Sequence, residues 1–91
     1  MLKITIRKKA EKFYNSLAEK QKVQILAKIE QLQINPFSHD SKKLKGFPCY
    51  SVSVGEFRVI YLVETDEVEI VSIAKRSDDD SYKFLHRFFL F

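Results

Sequence analysis

Lys42, Lys43 and Lys45 put three ammonium groups into four consecutive positions, in a stretch that also carries Ser, His, Asp and Gly. Shortly after them, Gly55-Glu56 has the Gly-X form of a two-residue hairpin turn. With that turn, Val54 faces Phe57, Ser53 faces Arg58 and Val52 faces Val59. Ser51, Ser53 and Arg58 then share one sheet face, a polar patch centred on a guanidinium. Such a group is permanently charged and matches phosphate oxygens. Lysines nearby suit a polyanion such as nucleic acid, or else form an ordinary solvated face.

Other chemistries lack their residues. Cys49 is the only cysteine, which excludes an internal disulfide and a cysteine-based zinc site. With only His39 and His86 besides, a His/Cys metal centre is not expected, and no cofactor is called for. The histidines read as surface residues and Cys49 as a small buried apolar one.

The net charge of +4 conceals an asymmetry. Residues 1–50 carry a net +7 and residues 51–91 a net −3. The acidic side is concentrated in Glu64, Asp66, Glu67 and Glu69 and in Asp78-Asp79-Asp80.

The elements that must position these groups follow from periodicity. Leu2, Ile4 and Ile6 alternate with polar residues, the pattern of a half-buried strand. Ala10, Phe13, Tyr14 and Leu17 recur at helical spacing, as do Ile25, Ile29 and Leu32. The two stripes do not join in phase, so two helices broken near Ala18-Glu19 are expected. Asn35-Pro36 stops the second. Phe37 to Pro48 reads as a loop. Tyr50–Val54, Phe57–Val63 and Val68–Ala74 read as a three-stranded meander. A last helix is expected over roughly 79–89, with Asp78 or Asp79 as N-cap. Its Phe84, Leu85, Phe88 and Phe89 would cover the apolar part of the Arg58 face around Ile60 and Leu62.

The expected fold is therefore α+β, one domain over residues 1–91. Only short apolar runs occur, so no membrane span is expected. The chain enters alternating structure at once, so no leader is expected either, and the location called for is cytoplasmic.

Three stretches carry a family resemblance: Leu44-Lys45-Gly46, then Tyr50 through Tyr61, then Lys75-Arg76 followed by Tyr82. The middle one is similar to the pattern Tyr-x-x-x-x-Gly-x-Tyr-Arg-x-x-Tyr, with Phe57 in place of the second tyrosine. Over essentially its whole length the chain resembles the RelE/ParE superfamily of toxin–antitoxin toxins. Arg76, with a tyrosine six residues later, resembles the nuclease branch of that superfamily.

The resemblance implies a RelE-like endoribonuclease that cleaves mRNA on the ribosome without metal, by attack of a ribose 2′-OH on its own phosphodiester. Arg58 and Arg76 would stabilise the developing charge, and Tyr82 would stack on a base and orient the hydroxyl or exchange a proton with it. Lys42, Lys43, Lys45 and Lys75 would bind RNA phosphates. The implied partners are the ribosome, mRNA and a short, acidic, partly disordered antitoxin. One departure stands out: Ser51 and Ser53 occupy strand positions where the best-known branch places two lysines. The alternatives are a ParE-like inhibitor of DNA gyrase and a degenerate RNA- or partner-binding module.

Overall fold

The computed structural model describes residues 1–75. Their order is β1 (Lys3–Ile6), α1 (Lys8–Asn15), α2 (Glu19–Ile34), β2 (Lys42–Lys43), β3 (Tyr50–Val54), β4 (Phe57–Val63) and β5 (Glu67–Lys75). The expected last helix, with Asp78, Asp79, Phe84 and Phe88, lies outside the described residues.

The helical hairpin forms where the two stripes fall out of phase. Ala18 is extended, and its N–H donates to Gln21 Oε1 at 3.1 Å, satisfying a donor that the first turn of α2 cannot. At the other end Asn35 leaves helical geometry (φ −141°, ψ 93°), the region that a following proline requires.

The strands build one five-stranded sheet in the order β1-β5-β4-β3-β2. β1 runs parallel to β5, with Lys3 opposite Glu67, and all other neighbours are antiparallel. The hairpin register is the expected one: Val54 pairs with Phe57, Ser53 with Arg58 and Val52 with Val59. Gly55 takes φ 59° at the first turn position, a conformation cheap only for glycine, and no non-glycine residue among those described has positive φ. The stretch from Phe37 to Pro48 differs from a pure loop. Lys42 and Lys43 pair with Ser51 and Tyr50, adding a short edge strand that no periodicity marks.

Helices and sheet share one core. Val52, Phe57, Val59, Tyr61, Val68 and Ile70 pack under Ala10, Ile25, Ile29 and Leu32. Tyr61 is fully buried and stacks on Tyr50 with 5.8 Å between ring centroids, while its hydroxyl donates to the Pro36 carbonyl at 2.7 Å. Burial pushes the Tyr61 hydroxyl above its ordinary pKa, so it stays a donor.

The opposite face has a smaller apolar cluster. Cys49, Ile60 and Val71 are fully buried there, with Leu44, Phe47 and Leu62 packed against them. Part of the cover expected from the last helix thus comes from the loop after β2. That loop turns at Gly46 (φ 84°) and closes through Leu44 N–H to the Cys49 carbonyl at 2.9 Å. The β4–β5 register slips between Ile60 and Tyr61, leaving Val71 as an extra residue. This bulge shifts the alternation by one, so that Ile73 lies on the helix face with Val68 and Ile70 while Val71 lies on the other.

Candidate functional site

Two cross-strand rows assemble the polar end of the second face. Lys42 of β2 stands opposite Ser51 of β3, and Ser53 stands opposite Arg58 of β4. Because side chains alternate along a strand, residues at 51, 53 and 58 point to the same side, away from the helices. These four residues, with Asp40 and Leu44, line a pocket of about 190 Å³.

Ser51 is 8% exposed and is the one buried polar residue of the described lining. Arg58 is half-buried between Ser53 and Ala74, and Lys42 stands exposed on the edge strand.

Asp40 was not singled out by sequence. It lies in the loop ahead of β2, where its Oδ2 accepts from Lys28 Nζ of α2 at 2.7 Å and its Oδ1 from Ser38 Oγ at 2.6 Å. These two bonds hold its carboxyl well below the ordinary range, at about 2. The side chain is a full anion at neutral pH. The only sequence cue was turn chemistry, since Ser38-His39-Asp40-Ser41 is a run of turn formers. Lys28 is twelve residues away across a helix end, and nothing in the sequence ties it to Asp40.

The remaining expected residues distribute as follows. Lys43 pairs with Tyr50 and so belongs to the other face, Lys45 is exposed in the turn before Gly46, and Lys75 pairs with Phe57 while Ala74 takes the place beside Arg58. None of these three lines the pocket. Arg76 and Tyr82 lie outside the described residues. His39 is exposed. Cys49 is buried, and desolvation raises its thiol to about 11, with Arg7 lowering and Glu69 raising it. An inert thiol is the result.

Chemically the pocket offers two cations and two hydroxyls that donate, and one carboxylate that accepts. Of its possible proton acceptors, Asp40 is stabilised as an anion and the serine hydroxyls are weak bases. Among the described residues no group of three or more His, Cys, Asp or Glu is placed to hold a metal ion. No helix among them is long and apolar enough to cross a membrane.

Comparison with known proteins places this architecture. The family model for the ParE toxin of type II toxin–antitoxin systems, parDE, matches residues 4–80. No curated protein matches the sequence. The fold is similar to the free-state structure of an Escherichia coli RelE toxin variant, at 21% identity, TM-score 0.83 and 98% coverage of both chains. The archaeal RelE–RelB complex from Pyrococcus horikoshii matches at 25% identity and TM-score 0.74, over 82% of this chain and 94% of that one. The YoeB–YefM complex from Staphylococcus aureus matches at 22% identity and TM-score 0.69, over 84% and 98%.

Proposed function

The chain belongs to the RelE/ParE superfamily of type II toxin–antitoxin toxins, and from that premise we propose that it cleaves mRNA on the ribosome and so inhibits translation. The observation supporting the nuclease reading is the pocket itself: Arg58 and Lys42 converge with two hydroxyls on one concave spot of the sheet. The reaction is internal transesterification. The ribose 2′-oxygen bonds to the adjacent phosphorus and loses its proton, while the bond to the 5′-oxygen breaks and that oxygen is protonated. A 2′,3′-cyclic phosphate and a free 5′-hydroxyl result.

Negative charge grows on the non-bridging oxygens during this step. A fixed guanidinium lowers the barrier because it needs no reorganisation as the charge appears. Arg58 takes that role in our reading, joined by Arg76, with Tyr82 orienting the reacting nucleotide. Lys42 holds a neighbouring phosphate at the pocket wall, and Lys43, Lys45 and Lys75 bind phosphates farther out. The proton acceptor is supplied by the assembled ribosome–message complex, since Asp40 is held as a weakly basic anion and serine hydroxyls are weak bases.

The partner that restrains the activity is an antitoxin, as RelB and YefM accompany the similar toxins. The protein works in the cytoplasm, where ribosomes are.

Mapping mRNA ends after induced expression tests the reading. Breaks confined to codons in the decoding site are expected, and naked RNA should be barely cut. Arg76→Ala should lower cleavage in a translation extract about tenfold or more; undiminished cleavage removes Arg76 from the reaction.

A ParE-like gyrase inhibitor is the second reading. Two observations favour it: the matching family model is that of ParE, and Ser51 and Ser53 stand where lysines would serve a nuclease. Inhibition of supercoiling by purified gyrase, with message left intact, would select it.

A further inference from the structure

Asp40 is a wall that a simple phosphate site does not need. Lys42, Arg58, Ser51 and Ser53 can all donate to an anion, whereas Asp40 lines the same pocket as an acceptor and repels one. Its charge cannot be titrated away near neutrality, because Lys28 and Ser38 hold the carboxyl at about 2. Nor is it loosely placed. The loop that carries it is pinned at Pro36 by the Tyr61 hydroxyl (2.7 Å) and folded back by Ser41 Oγ and N–H, which donate to the Ser38 carbonyl at 2.7 and 2.9 Å.

A carboxylate offers about four lone-pair positions, and Lys28 and Ser38 occupy one on each oxygen. The Asp40 backbone N–H also helps to lower this carboxyl, so three of the four positions are engaged and one is left for a donor. The pocket is bipolar, with cations at Lys42 and Arg58 and a fixed acceptor at Asp40. Its complement is a ligand with an anion at one end and N–H donors at the other.

We propose that Asp40 is the specificity-determining residue of this pocket, selecting a nucleotide whose base presents adjacent N–H donors, guanine first, while Lys42 and Arg58 take its phosphate. Guanine sets N1–H and the N2 amino group side by side, so that either donor can meet the carboxylate with no acceptor between them. Adenine and cytosine each present one amino group beside an acceptor. Uracil flanks its single N–H with two carbonyls that face the carboxylate unfavourably. A pocket of about 190 Å³ has room for the edge of one base. This rests on the nuclease reading for its choice of a nucleotide, but its test needs neither ribosome nor cleavage.

The full-length chain is titrated with 3′-GMP, 3′-UMP and inorganic phosphate by calorimetry, and pocket occupancy is followed by NMR shifts of Ser53 and Arg58. The wild type should bind 3′-GMP about fivefold or more tighter than 3′-UMP. Asp40→Asn should erase that difference and bind inorganic phosphate more tightly than the wild type does. Lys28→Met leaves the carboxylate in place and should keep most of the base preference, even with a lowered melting temperature. Equal wild-type affinity for the two nucleotides, or no binding of either, overturns the proposal without any variant having to fold. So does a preference that survives in Asp40→Asn, or one lost equally in Lys28→Met, which would reduce Asp40 to a loop anchor. If the preference is present but message stays intact on ribosomes, the nuclease reading falls and the selectivity of the pocket stands.

Discussion

β4 shows two unlike surfaces one residue apart. Phe57, Val59 and Tyr61 point under the helices and are buried to within 1% exposure, whereas Arg58 points the other way into a polar pocket. The helix-side face is a continuous apolar layer drawn from six of the seven described elements, so its burial comes from many partners at once. The Arg58 face is divided. Its apolar part packs against Leu44 and Phe47, and its polar part lies toward the edge where β2 ends the sheet. Stability and chemistry are thereby placed on opposite sides of the same strands, and substitutions on the two sides should separate them.

The largest effect belongs to the helix side. Phe57 is fully buried and meets Phe13 edge-on at 5.9 Å. Phe57→Ala should cost about 3–5 kcal/mol, read as a lower urea midpoint, with activity lost only through unfolding. Arg58→Ala should shift the balance the other way: cleavage in a translation extract falls about tenfold or more while the urea midpoint falls less than in Phe57→Ala. A variant equally destabilised at both positions would break the division.

Smaller effects test the seam between the faces. Tyr61→Phe keeps the buried ring but strands the Pro36 carbonyl, and should cost about 1 kcal/mol. The Asp40 carboxyl titrates at about 2 in the folded chain against an ordinary 3.8. A depressed folded pKa means that its contribution is present above about pH 4 and is lost as pH falls toward 2. Its side chain is 37% exposed, so solvent screening limits the effect to below about 1 kcal/mol. Urea midpoints for wild type and Asp40→Asn should therefore differ at pH 6 and converge near pH 2.

The two faces also differed in how readily they could be read. Alternation in Tyr50–Val54 and Phe57–Val63, with a glycine at the turn, determines which side chains share a side, and the observed register agrees at every pair from Val52–Val59 to Val54–Phe57. The core list follows from that register and the two helical stripes. The pocket was half legible: Arg58, Ser51 and Ser53 came from the same alternation, and Lys42 from its charge. Asp40 did not, because what makes it a pocket wall is its position across a loop, and what holds it is a lysine on a helix. Likewise nothing local distinguishes Lys42, which lines the pocket, from Lys43 and Lys45, which do not.

The residues by themselves determined the order of the described elements other than β2, the hairpin register, the α+β class and the family, since each rests on patterns along the chain. Tertiary structure alone decided that β1 lies parallel beside β5 and that β2 caps the far edge, which brings Lys42 opposite Ser51 and Lys28 to Asp40. The physical reason is reach. A side chain's periodicity reports which face it must bury, but not which distant segment will supply the neighbour, because that choice is made by the whole sheet closing on one core.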